Sequence, residues 1–413
     1  MKRAKSSCSL AVCLAGAIFT LALFPKPSLG ATLTVGPGKT YSTVKAAAAA
    51  AQDGDVVLID AGTYLNDVCL WSANNLTFRG VGGGRAYIKA TNGVNYGDKG
   101  DWVISGQNFT AENIEFSGGF SSSTNGAGMR FDISGDITIR NCFFHDNHNG
   151  ILGGCGNLLV ENSVFEHNGY GDGQSHNMYV WGNTFTLRYC YSHRANVGHE
   201  VKSRFQNNFI LYNRIMDESD GTSSYAIDIP DCGRSYIIGN VIEQGPLSQN
   251  TTIISYGAES ARNGNQDLYM INNTIVNDAS SGNFVYLRSG TTAKVMNNIF
   301  YGPGTNWSGG TVTASNNYFE SSRGNGAKFV NPGGYDYQLT SASPALIVNA
   351  AGLPGLSATG YNLLPTMQYV YDTQGATRSA LGILDVGAFE YGSGGGAPPD
   401  NTSPAAVTDL RNR

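Results

Sequence analysis

A short segment recurs along this chain, and its spacing excludes most folds before composition is considered. It reads Asn113-Ile114-Glu115-Phe116, Asn141-Cys142-Phe143-Phe144 and Asn162-Ser163-Val164-Phe165, then Asn213-Arg214-Ile215, Asn240-Val241-Ile242, Asn273-Thr274-Ile275, Asn298-Ile299-Phe300 and Asn317-Tyr318-Phe319. Tyr189-Cys190-Tyr191 holds the same place in the rung that lacks Asn. Successive starts lie 28, 21, 27, 24, 27, 33, 25 and 19 residues apart. A helical repeat would carry a 3.6-residue apolar period, which these segments lack. Short strands broken by Gly, Asn, Asp and Ser, one rung per coil, predict an all-β right-handed parallel β-helix. A single coil cannot bury its own apolar face, so coils stack about 4.8 Å apart and share a core. The recurring Asn is then a structural residue, hydrogen-bonded to its counterparts as a ladder of stacked amides.

The ends of the chain fit this scheme. Ser42 is positioned to cap a short helix through Val44, Lys45 and the alanines 46–51, which would cover the open edge of the first coil. Asp53-Gly54-Asp55 ends that helix, Val56-Val57-Leu58-Ile59 reads as the first strand, and Ala61-Gly62-Thr63-Tyr64 follows. In these features the chain resembles the pectate-lyase-like superfamily of right-handed β-helices. Residues 384–391, Leu-Asp-Val-Gly-Ala-Phe-Glu-Tyr, are similar to the closing signature of many bacterial β-helix proteins, so the resemblance spans about residues 32–391.

Outside that span the sequence reads as three further pieces. Lys2, Arg3 and Lys5 precede an apolar run from Leu10 to Phe24 and small residues at Ser28 and Gly30, so residues 1–30 are expected to be an export signal. The protein is therefore expected to be secreted, extracellular or periplasmic, with the β-helix domain over 31–391. Residues 392–403 read as a Gly/Pro/Ser-rich linker, and 404–413 as a tail or the truncated start of a fibronectin-type module.

Only 14% of the residues are charged and the net charge is -5, which argues against a nucleic-acid partner. No apolar stretch after the leader calls for membrane insertion, and the chain is read as a monomer that acts on a polysaccharide. Cys69, Cys142, Cys155, Cys190 and Cys232 follow the leader with no metal-binding spacing, and are read mostly as small buried apolar residues, with a disulfide between two of them left open.

All six histidines, His145, His148, His167, His176, His193 and His199, fall within about three coils. Strand alternation aligns His176–Trp181 with His199–Arg204 one coil later, and then with Tyr225–Pro230. Met178, Val201 and Ile227 then point inward, as do Val180, Ser203 and Ile229, while Tyr179, Lys202 and Asp228 form an outward column. Such a surface suits β-elimination on a uronic-acid polymer, which needs a base, neutralisation of a carboxylate and a proton donor. Lys202 is the candidate base, because neighbouring Arg204 and partial desolvation both favour its free amine. Arg204 would grip the substrate carboxylate, and Tyr179 or His199 would supply the proton. His176, Trp181, His193 and Arg194 are the candidate substrate-binding residues. Glu200, Asp228 and Asp231 are the candidate metal ligands, and Ca²⁺ is the cofactor such oxygen donors would take. A second acidic group, Asp217, Glu218 and Asp220, falls in register with His145, Asp146, Glu166, His167, His193 and Arg194, and reads as a solvated polar corner.

Glu200-Val201-Lys202-Ser203 followed by Asn207-Asn208 resembles the alginate and chondroitin lyases of the β-helix class. That resemblance implies Glu200 as a Ca²⁺ ligand and Lys202 as the base. The Arg-x-Pro-x-x-Arg signature of the main pectate lyases, the Asn-Thr-Asp, Asp-Asp and Arg-Ile-Lys signatures of polygalacturonases, and the Asp-Pro-His of mannuronan epimerases are absent. Three function classes follow: a polysaccharide lyase, a glycoside hydrolase using a carboxylate pair, and a non-catalytic glycan-binding or adhesion protein. The histidine crowding and the Lys202–Arg204 pair favour the lyase.

Overall fold

As far as Glu320, the runs between Gly and Asn turns are rich in β-branched and aromatic residues, and they pair with counterparts one coil away. The computed structural model describes Met1 and residues 30–371, 373–379 and 382–392. The expected leader and nearly all of the expected linker and tail lie outside the described residues. Twenty-seven strands join into one continuous parallel network, a right-handed β-helix with three faces. The first face includes Ile137–Arg140 and Arg234–Ile238. The second includes Phe143–His145, Val164–Glu166, Tyr191–His193 and Arg214–Met216. The third includes Ala127–Asp132 and Ile227–Ile229. Strands Asn149–Glu161, Met178–Arg188 and Val201–Leu211 bend from the third face onto the first.

Alternation sends one set of side chains into a shared core. Phe116, Phe144 and Phe165 stack there, with ring centroids 5.0 and 4.9 Å apart. Each such ring, fully removed from water, contributes roughly 1.5–3 kcal/mol. Cys69, Cys142, Cys155, Cys190 and Cys232 are buried and unbridged, as small apolar residues. At the N-terminal end, helix Val44–Ala50 packs Val44, Ala47 and Ala48 against Leu33, Val35 and Val57. Its cap is Thr43 rather than the expected Ser42: the Thr43 hydroxyl accepts from the Ala46 amide at 3.2 Å. Asp67 adds to the cap by accepting from the Val44 and Lys45 amides, 2.5 and 2.8 Å away.

The Asn repeat resolves into two adjacent columns at the turn between the first and second faces. The first slot takes a left-handed backbone: Asn113, Asn141, Asn162, Tyr189, Tyr212, Asn272, Asn297 and Asn316 all have φ between 49° and 61° there. Asn tolerates this conformation better than other non-glycine residues. The second slot faces inward and holds Cys142, Ser163, Cys190, Asn213, Asn240, Asn273, Asn298 and Asn317, as the strand register requires. Asn113, Asn141 and Asn162 therefore belong one position earlier than the later asparagines, which corrects the single-rung alignment. From Asn213 onward each second-slot amide donates to the next: Asn213 Nδ2 to Asn240 Oδ1 at 2.9 Å, then Asn240 to Asn273 at 3.0 Å.

The solenoid stops at Tyr318–Glu320. Residues beyond it fold back over the second face, where Phe329, Tyr337, Ile347, Val386 and Ala388 pack on Met216, Val241, Val276 and Ile299. The 384–391 segment locks this cover: Asp385 accepts from the Asn349 and Tyr391 amides, both at 2.6 Å, and Glu390 pairs with buried Arg378 at 2.5 Å. On the third face, Tyr179, Trp181, Lys202 and Arg204 remain partly exposed. Among the described residues no helix is long and apolar enough to cross a membrane.

Candidate functional site

The third face builds the expected column. Tyr179 pairs with Lys202, Lys202 with Asp228, and Trp181 with Arg204 in direct register. Met178, Val180, Val201, Ser203, Ile227 and Ile229 are fully buried, so alternation places their neighbours outside. Trp181 lies across Gly154 of the preceding coil, where a Cβ would stand 2.0 Å from the indole nitrogen.

The Arg204 guanidinium organises this surface. Its Nε donates to the Tyr179 hydroxyl at 2.9 Å, its Nη1 to Asp231 at 2.8 Å and its Nη2 to Glu259 at 2.7 Å. Lys202 Nζ lies 3.6 Å from Asp228, 3.5 Å from Glu259 and 5.1 Å from the Tyr179 ring centre. The expected base is thus held in a cradle of two carboxylates. Burial would raise Glu259 and Asp231, but Arg204 holds both below the usual carboxylate range, helped by Lys202 at Glu259 and by Ser260 and Arg262 at Asp231. Asp228 moves the other way: burial pushes it up to about 6, against the opposing charge of Lys202. Its Oδ1 is buried without a hydrogen-bond partner. Tyr179, Trp181, Arg204, Gln206, Glu259 and Arg262 line an open groove of about 670 Å³.

His176 and His199 stand at the corner beside this groove and form a stack, 4.5 Å apart and nearly parallel. His176 Nδ1 accepts from the His199 amide at 2.9 Å, and His199 Nδ1 accepts from the Tyr225 amide at 3.2 Å. A ring nitrogen that accepts from a backbone amide carries no proton, so both rings hold theirs on Nε2. Burial, joined by Lys202 and Arg204, drives both histidines well below the ordinary value, and both are neutral. His199 Nε2 faces Asp228 at 3.5 Å. His176 is only 1% exposed, so it serves the stack and not a substrate, contrary to expectation.

Three further expectations are corrected. Glu200 is wholly buried and ends an interior ladder: Asn147 donates to Asn168, Asn168 to Asn177, and Asn177 Nδ2 to Glu200 at 2.5 Å. Ser192 and the Ala195 amide complete its partners, and burial, with Asp217 nearby, raises it well above the usual value. Glu200 occupies the inner slot of the corner because His199 takes the outer one. Second, the three expected Ca²⁺ ligands do not converge: Glu200 faces inward, Asp228 faces Lys202 and His199, and Asp231 is taken by Arg204, Arg262 and Ser260. Among the described residues no three His, Cys, Asp or Glu side chains gather as a metal ion requires, so the residues do not fit the expected cation. Third, His193 and Arg194 belong to the second face, where they are 0% and 7% exposed. There Arg194 pairs with Glu166, Glu218 and Asp220 at 3.4, 2.6 and 3.0 Å, and Tyr191 stacks on His193 at 3.9 Å. The expected solvated corner is therefore split: Asp146, His167 and Asp220 are exposed, whereas Glu166, His193, Arg194 and Glu218 form a buried ion network.

Sequence reading missed Glu259 and Arg262. Both sit in an irregular loop after strand Thr252–Tyr256 that folds back across the coils, so no periodicity marks them.

Among solved structures, the chain is similar to the crystal structure of pectate lyase Pel9A, with a TM-score of 0.57 over 88% of this chain and 97% of that one. This chain has the pectate-lyase-like parallel β-helix fold. Sequence identity is 16%, so the likeness describes the pectate-lyase-like scaffold and not its chemistry. No family model matches the sequence, and no curated protein matches it.

Proposed function

We propose that this protein is a secreted, polysaccharide-active β-helix protein, a lyase that cleaves a uronic-acid-containing polymer by β-elimination in the third-face groove. The observation that carries this reading is Glu259. It is a carboxylate from a surface loop, its side chain 51% exposed, and it rests on Arg204 and Lys202 together. A uronate carboxylate arriving along Tyr179 and Trp181 has the same charge and shape, and can displace it. Aromatic faces suit sugar rings, and Arg204 is already oriented by Tyr179 and Asp231. The structural neighbour is a pectate lyase, which supports a galacturonate polymer as the first substrate to try.

In this reading Arg204 neutralises the substrate carboxylate and so acidifies the adjacent carbon. Lys202, as the free amine, takes that proton, and Asp228, 3.6 Å away, is placed to hold the ammonium that results. The Tyr179 hydroxyl or His199 Nε2–H then donates towards the leaving oxygen. No step requires the Ca²⁺ set, which does not assemble.

A hydrolase is the second reading, favoured by the opposite displacement of Asp228 and Asp231, one raised and one lowered. A single screen separates the two. The full chain is incubated with pectate, alginate, chondroitin and hyaluronan, with and without EDTA. New absorbance of unsaturated ends is the result expected. Reducing ends without that absorbance assign a hydrolase, and neither product on any polymer overturns the enzymatic reading in favour of glycan binding alone.

A further inference from the structure

The second face carries its own groove. The C-terminal cover reaches as far as Phe143, Val164 and Tyr191, where Tyr371 packs. Towards the N-terminal end the column Thr63, Tyr87, Glu115 continues beyond Phe143, with Thr63 exposed and Tyr87 half-buried. Here Gly62, Gly83, Arg85, Tyr87, Lys89 and Glu115 line a cavity of about 590 Å³. Gly62 and Gly83 have nothing within 4 Å of where a Cβ would stand, so the rim is open.

The floor is built rather than incidental. Glu115 is only 3% exposed and is clamped by His145 Nε2 at 3.2 Å, while His145 Nδ1 meets Asp146 at 2.7 Å. The imidazole thus bridges two carboxylates, and its ring stacks on Phe143 at 4.3 Å. Arg85 is fixed by the carbonyl and side chain of Asn141, at 3.2 and 3.0 Å. Exposed Lys89 reaches over the Tyr87 ring, 5.9 Å from its centre. An aromatic ring, a solvent-facing ammonium, a fixed guanidinium and a buried carboxylate acceptor are the groups an acidic sugar uses. The ring packs on Tyr87, its carboxylate pairs with Lys89, and its hydroxyls donate to Glu115.

We propose that this N-terminal groove of the second face is a second, non-catalytic binding site for a carboxylate-bearing sugar unit. It would hold the same polymer on a different wall from the third-face groove, and only that choice of sugar rests on the uronate reading above.

The test uses the full chain carrying Arg204→Ala, which disables the third-face groove, with trigalacturonate as the probe in isothermal titration. That chain should still bind, and Tyr87→Ala or Lys89→Ala added to it should weaken binding about tenfold or more. Methyl-esterified trigalacturonate should bind about tenfold less tightly than the free acid. Both side chains reach the surface, so circular dichroism is expected to be unchanged, and Lys89→Arg should restore binding. No binding by the Arg204→Ala chain, equal binding after both added substitutions, or equal affinity for the ester each overturn the proposal. Product formation is a separate measurement, so failure of the lyase reading leaves this result interpretable.

Discussion

Two sets of histidines rise through the same coils on different walls, and their surroundings give them opposite properties. On the third-face corner, His148, His176 and His199 each accept a backbone N–H at Nδ1. Burial lowers all three, and none meets a carboxylate closer than the 3.5 Å between His199 and Asp228. On the second face, His145 lies between Glu115 and Asp146, whose pull outweighs burial and raises it. His193 lies between Glu166 and Glu218, at 4.0 and 3.8 Å, with Arg194 closing the network. Residue type is shared, so the partner atoms decide. One set is a neutral, hydrogen-bonded spine beside an open groove; in the other, His145 bridges two carboxylates in the floor of the N-terminal groove and His193 lies among buried carboxylates further along the same wall.

The largest test of this division is catalytic. Lys202→Ala should lower the rate of unsaturated-product formation by about 10²–10⁴-fold with the fold intact, the range for a general acid or base. His193→Gln, on the other wall, should leave that rate within about twofold in the folded protein, and an equal loss from both would break the comparison.

Next comes stability of the buried ion network. Glu218→Gln removes a buried carboxylate that faces both Arg194 and Arg214, leaving Arg194 with Glu166 and Asp220, and should cost about 3–5 kcal/mol at neutral pH, read by calorimetry. Burial alone would raise Glu218, but His193, Arg194 and Arg214 hold it down at about 2. A depressed carboxyl stabilises above its unfolded value and loses that contribution as pH falls through the folded value. The deficit of the variant should therefore shrink between about pH 4.5 and pH 2.

Asp228 gives the opposite sign on the open wall. Its folded value, about 6, stands above the ordinary 3.8, so its contribution is complete below about pH 4 and is lost as pH rises through 6. Asp228→Asn mimics the neutral acid. It should match the parent below pH 4 and be more stable above pH 6 by roughly 2–3 kcal/mol in denaturant titrations. Equal stability at all pH values would remove the claim that this carboxyl is raised.

The smallest effect concerns Glu259. As a half-exposed partner of Arg204 and Lys202 it contributes about 0.2–1 kcal/mol, so Glu259→Gln should lower KM for an acidic polymer about two- to fivefold, with kcat unchanged. A rise in KM would mean that Glu259 binds substrate rather than occupying its place.

The scaffold was legible because its determinants are periodic. Alternation alone aligned Tyr179, Lys202 and Asp228, and they stand in one column of the fold. What alternation cannot resolve is a corner, where the chain changes direction. Glu200 and His199 are adjacent there and exchange the inner and outer positions that strand continuation would give them. The second-face network was legible in register but not in burial, since its cover comes from residues more than a hundred positions away, such as Tyr335, whose carbonyl accepts from Arg214. Glu259 reaches Lys202 across 57 residues through a loop with no period. Long-range closure of this kind leaves no local pattern in the sequence.

The paired slots between the first and second faces have one more consequence. A left-handed residue followed by an inward ladder residue has the same length in every coil, so it acts as a phase lock. An insertion there would displace every later side chain from its wall, whereas an insertion after a third-face strand changes only what overhangs the groove. The loop bearing Glu259 and Arg262 is such an overhang. Substrate preference can therefore diverge by lengthening or trimming that edge, while the cylinder beneath keeps its order.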